Sequence, residues 1–173
     1  MKQPAGGSWL ALLIAAAALF VWHTSRDLPP IVASHFGPGG AANGFTTRQF
    51  YLCFMLAFVV LLPAILLLAL AGALRSPQSR LNLPNSGYWQ AEGRRDAAAA
   101  ALLGHMRVFG ALLVLLLCYV HWLVVRANAV APPVLDGASL GVALTVFLLA
   151  LVVWIVLLRR KFRRPPPLPG TRQ

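Results

Sequence analysis

The stretch FYLCFMLAFVVLLPAILLLALAGAL, Phe50 to Leu74, carries no charged residue over its whole length. About twenty such residues suffice to cross the roughly 30 Å hydrocarbon layer of a bilayer as a helix. Reading outward from it, three further apolar runs stand at Ser8–His23, about Leu102–Val125 and about Ser139–Leu158. Four runs of this kind define an all-α integral membrane protein, a bundle of four transmembrane helices. The first run ends in the bulky Leu19-Phe20-Val21-Trp22-His23. A signal peptidase site needs small residues there, so this run is expected to stay as an uncleaved span. Its Ala15–Ala18 segment would let a neighbouring helix come close. Pro63 removes the backbone bond to Val59 in the second span and is expected to kink it, more as a packing feature than as a hinge.

Composition supports the same class. Charged residues make up 11% of the chain, against about 25% in an ordinary soluble domain. The net charge is +11, from fifteen Lys and Arg against four Asp and Glu. These cations flank apolar runs and do not cover a folded face, which points to lipid contact and excludes nucleic acid as the partner. With four spans and the N-terminus inside, only Arg26, Arg48 and Arg126 of the fifteen fall outside. The positive-inside rule therefore puts both termini in the cytoplasm, with the bacterial cytoplasmic (inner) membrane as the expected location.

The polar loop after the first span then faces outward. It occupies residues 24–49, and its core reads DLPPIVASHFGPGGAANGFTTRQ from Asp27. It concentrates the turn-forming residues: Pro29-Pro30, Gly37-Pro38-Gly39-Gly40 and Asn43-Gly44. It is expected to order itself over the outer end of the bundle. Its candidate ligand-binding or organising residues are His35, Phe36, Asn43 and Gly44.

Three histidines share that end by topology: His23, His35 and His121. Converging, they would make a zinc site or a pH sensor. The short ligand spacings of HExxH or CxxC are absent, so solvation at the membrane interface is the simpler account and no cofactor is assigned. His105, about 24 Å along the helix from His121, cannot join them. Arg107 lies near the inner end of its span and can send its charge to the headgroups along its own stem. Ser34-His35 does not by adjacency make a nucleophile and base. The glycines of 37–44 lack the lysine of a phosphate loop. Cys53 and Cys118 lie within spans and read as small buried apolar residues. No catalytic motif is present.

The second loop holds Tyr88-Trp89, suited to the headgroup layer. Gly137 and Gly141 form a small-residue pair at the start of the fourth span. The cytoplasmic tail, 159–173, is basic and then proline-rich. Arg159, Arg160, Lys161, Arg163 and Arg164 are its lipid-binding candidates. Pro165–Pro169 has the composition of a polyproline II segment.

Leu28-Pro29-Pro30, Ser34-His35-Phe36, Gly40, Asn43-Gly44-Phe45 and Thr47-Arg48 together resemble the outward loop of a bacterial membrane-protein domain of unknown function. That domain is related to the SdpI-type immunity protein family of the sporulation-delaying toxin system. The likeness covers about residues 8 to 75. Asn82–Asn85, Tyr88-Trp89, Arg94-Arg95 and His121-Trp122 are also similar to small membrane proteins that carry the domain. Gly37 stands where the family often has Asn. The resemblance implies a key role for His35. Together these readings favour a non-enzymatic envelope sensor or binding protein that meets a peptide or protein partner at the outer face. A metal-dependent membrane enzyme using the three histidines, and a scaffold subunit of a membrane complex, are the alternatives.

Overall fold

The computed structural model describes residues 8–76, 83–91 and 93–163. Arg164 and the proline-rich tail, both singled out above, lie outside the described residues. In chain order the elements are α1 (Ser8–Thr24), a 3-10 turn (Ser25–Asp27), β1 (Ile31–Phe36), β2 (Ala42–Thr47), α2 (Arg48–Arg75), a one-turn α3 (Ser86–Gln90), α4 (Arg95–Asn128) and α5 (Gly137–Arg163). The chain is mostly helical, and four helices, α1 together with the 3-10 turn that continues it, α2, α4 and α5, are long and apolar enough to cross a membrane.

The helices overrun the apolar stretches that announce them. At 1.5 Å per residue, α4 is about 51 Å long, well beyond the hydrocarbon thickness. Its extension begins at Arg95, where Ala97–Ala101 continues a strong helix former back from the apolar run and Asp96 sits in the first turn.

α1, α2 and α4 pack against one another, and α5 packs mainly on α4. The main core runs through Ala17 and Val21 of α1, Tyr51, Met55 and Val59 of α2, and Val114 and Val124 of α4. It continues out of the helices into Leu28 and Val32. Apolar residues at span positions gain little by leaving lipid, so close fit and hydrogen bonds must hold the helices together. One such fit joins three helices: a Cβ placed on Gly110 would lie 3.5 Å from Pro63 and 3.6 Å from Leu10. Pro63 is thus a buried packing residue within one unbroken α2.

A second cluster forms at the opposite end. Phe162 and Ala98 are buried there, with Leu74, Leu83, Trp89, Ala101, Leu102 and Leu158 packed around them. Trp89 packs against the end of α5. Its ring meets Phe162 edge-on at 5.3 Å and its Nε1 donates to the Phe162 carbonyl at 2.9 Å. Two expectations are corrected. Cys53 is exposed on α2 and not buried. Gly137 and Gly141 have open space where a Cβ would stand, so they mark no helix contact here.

Candidate functional site

The polar loop is a β-hairpin, so the fold is four long helices plus a two-stranded sheet. β1 and β2 pair antiparallel, with Ile31 opposite Thr47, Val32 opposite Thr46 and Ala33 opposite Phe45. The register then slips, and His35 faces Gly44 while Phe36 faces Ala42. The turn is built by Gly37–Gly40. Gly37 N–H donates to Ala41 O at 2.8 Å, and Gly39 and Gly40 take positive φ of 82° and 83°. Only glycine adopts that region freely, which is why the turn falls here. Asn43-Gly44, read above as a turn signal, lies inside β2. Gly44 serves a different need. A Cβ there would come within 2.9 Å of His35 Cβ, so its absence makes room for the histidine.

Asn128, Arg48, the α4–α5 connection and Phe36 fix the hairpin and the segment leading into it to the bundle. The side-chain amide of Asn128 accepts from Ala33 N–H at 2.8 Å and donates to Ala33 O at 3.0 Å. Its nitrogen also donates to Val124 O at 2.9 Å. Arg48 Nη1 donates to the carbonyls of Arg26 and Leu28, each at 3.1 Å. The α4–α5 connection pairs with the hairpin tip through Leu135 N–H to Gly40 O, 2.8 Å, and Ala42 N–H to Pro133 O, 3.3 Å. Phe36 turns into the core and organises the loop from beneath.

Between this hairpin and the adjoining ends of α2 and α4 lies a pocket of about 480 Å³. Its wall is mainly apolar: Phe45, Phe50, Phe54, Met55, Val120 and Val124. Ser34, His35 and Thr46 supply its polar groups, and Tyr51 stands at its inner side. Ser34 Oγ and His35 Nδ1 are 3.2 Å apart. His35 is exposed, so its ring remains open to a ligand. The volume falls within the range of about 300 to 1,000 Å³ typical of small-molecule sites.

Behind the pocket runs a buried polar chain. Tyr51 Oη lies 2.9 Å from His121 Nδ1, and Thr24 Oγ1 lies 2.7 Å from His121 Nε2. Thr24 spends its one hydroxyl proton on Phe20 O at 2.8 Å. Proton counting then orders the chain: His121 Nε2–H donates to Thr24, and Tyr51 O–H donates to Nδ1 of a neutral imidazole. His121 is fully buried and flanked by the rings of Tyr51, stacked at 5.7 Å, and Phe20, edge-on at 5.8 Å. One imidazole thus joins α1, α2 and α4 where packing alone is weak.

This chain overturns the three-histidine zinc site. Both nitrogens of His121 are spent on hydroxyls, His23 is exposed at the end of α1, and His35 sits on the hairpin. Among the described residues, no group of three His, Cys, Asp or Glu is placed to hold a metal ion. Of the loop candidates, His35 lines the pocket and Gly44 makes room for it. Asn43 is exposed and rests its side-chain nitrogen over Gly37. Asn128, Tyr51 and Thr24 were not singled out from the sequence. An asparagine in the last turn of an apolar helix was the one available signal.

No protein-family model, curated protein or solved structure matches the chain.

Proposed function

We propose that the chain is a non-enzymatic binding or sensing protein of the bacterial cytoplasmic membrane. Its termini are cytoplasmic, its hairpin faces the envelope, and its ligand is amphipathic. The observation that carries this reading is the 480 Å³ pocket beneath the hairpin, apolar along Phe45, Phe50 and Phe54 and polar at Ser34 and His35. Such a lining suits a hydrophobic segment or chain whose polar end bonds to the exposed imidazole. The orientation is supported by charge. Among described residues the hairpin end carries Arg26, Arg48 and Arg126, whereas Arg75, Arg94, Arg95 and the α5 terminus gather at the other. The likeness of the Ser34-His35-Phe36 loop to SdpI-type immunity proteins extends the proposal to a hydrophobic peptide as ligand.

Photo-crosslinking in cells tests it. A photoreactive phenylalanine at Phe45 should capture a discrete adduct, reduced by His35→Ala at unchanged membrane insertion. The control position is Leu68, exposed on the far half of α2. Identical adducts at Phe45 and Leu68 would show bulk lipid alone and end the proposal.

A further inference from the structure

The end of α5 carries a second site, independent of the hairpin pocket. Val156, Arg159, Arg160 and Arg163 recur at the i, i+3, i+4, i+7 spacing that places residues on one helix face. Together with Pro84 they line a pocket of about 430 Å³. The three arginines are exposed, and among the described residues none is ion-paired with a carboxylate. Pro84 is held in place as the far wall because the segment after it is tied to the helix end. Asn85 Nδ2 donates to Arg163 O at 2.8 Å and Trp89 Nε1 donates to Phe162 O at 2.9 Å.

Depth decides what such a pocket meets. The twenty residues from Ser139 to Leu158 rise about 30 Å, the thickness of the hydrocarbon layer. Arg159, Arg160 and Arg163 therefore begin where the headgroup phosphates begin, and Val156 lies one turn inside the acyl region. A helix C-terminus by itself repels anions. Here two of its last carbonyls are taken by Asn85 and Trp89, and three guanidinium groups outweigh the residual dipole. Guanidinium forks match phosphate oxygens in pairs, which a lysine cannot do. Lys161, between these arginines in sequence, does not line the pocket.

We propose that this pocket binds one anionic glycerophospholipid, its phosphate held by Arg159, Arg160 and Arg163 and an acyl chain descending along Val156.

The test uses the full chain, purified in detergent, stripped of lipid and titrated with phosphatidylglycerol, with bound lipid counted by native mass spectrometry. One tightly held phosphatidylglycerol is expected, with at least roughly tenfold preference over phosphatidylcholine. Arg159→Gln, Arg160→Gln and Arg163→Gln should each weaken it about fivefold to tenfold. Lys161→Gln removes the same charge from the same helix turn and should leave the affinity within about twofold. Arg→Lys versions keep the charge and the fold and should still weaken binding, because the fork is lost. Equal weakening by Lys161→Gln would reduce the site to diffuse attraction and overturn the proposal. Equal retention of phosphatidylcholine would do the same. Displacement of the lipid by millimolar inorganic phosphate would assign the pocket to a free anion instead.

Discussion

Asn128 and Ala33 are joined like two residues of a sheet. The side-chain amide of the first makes both backbone hydrogen bonds of the second, at 2.8 and 3.0 Å. An asparagine at the end of a membrane-crossing helix thereby takes the place of a third strand against β1.

Replacing Asn128 with Leu should therefore release the hairpin without unfolding the helices. Losing bonds to half-buried backbone groups costs about 1–3 kcal/mol. Hydrogen exchange should show faster exchange of the Ala33 amide and its β1 neighbours, with α2 and α4 unchanged. Protection undiminished at Ala33 would mean that the amide pairing does not hold the strand.

The two positive-φ glycines of the turn should respond differently. Alanine at Gly39 meets no atom within 4 Å and pays only the conformational cost, about 1–2 kcal/mol. Alanine at Gly40 would put its Cβ 2.2 Å from the Leu135 carbonyl oxygen. It must push the α4–α5 connection off the hairpin tip, at a cost of about 3 kcal/mol or more. Unfolding midpoints of the two variants, measured side by side, should separate clearly, with Gly40→Ala the lower.

Tyr51 and His121 should couple. A double-mutant cycle of Tyr51→Phe and His121→Phe is expected to give an interaction energy of about 1 kcal/mol, within the range found for hydrogen bonds between membrane helices. A coupling near zero would mean that the imidazole acts by shape alone.

The start of α5 should depend on pH. The Ser139 hydroxyl, at 2.5 Å, and then the Ser139 amide hold the Asp136 carboxyl below its ordinary value of 3.8. Its folded-state value is thus lower than its unfolded one. The stabilisation is complete above the ordinary value and is lost as pH falls through the folded one. The protection factors of the Ala138 and Ser139 amides, each taken relative to the intrinsic rate at the same pH, should fall on acidification. Asp136→Asn should flatten this dependence, and Ser139→Ala should move it to higher pH.

What was legible in the sequence followed from run length. Twenty-odd apolar residues without charge leave a chain few options other than a spanning helix, and all four such helices are present. The hairpin was not legible. β1, IVASHF, gives little alternation, and its burial is continuous at Val32 and Ala33 because the strand lies between β2 and Asn128. Asn43-Gly44 carried a turn signal but pairs within β2, since a missing Cβ serves a neighbouring histidine as well as it serves a turn. His35 was singled out from the sequence, but the pocket that it lines was not. Its pocket was hidden because Phe45, Phe54 and Val120 are apolar residues among many, and only the fold separates a pocket wall from a lipid-facing surface. The polar chain through His121 was hidden likewise, for Tyr51 and Thr24 stand 70 and 97 residues from it.

α5 is fastened at three levels: Leu135 to Gly40 before it begins, Trp154 Nε1 to His105 O at 2.8 Å along it, and Trp89 and Asn85 at its last carbonyls. Between these points it buries almost nothing. Its length is thus specified while most of its spelling is not. Exchanging Val142, Leu149 or Val153 for another aliphatic residue should pass unnoticed. One residue inserted between Trp154 and Phe162 would turn the helix end by about 100° and advance it by about 1.5 Å. The far fastenings would then miss their partners. This helix measures a distance, and evolution is free to rewrite it so long as the count is kept.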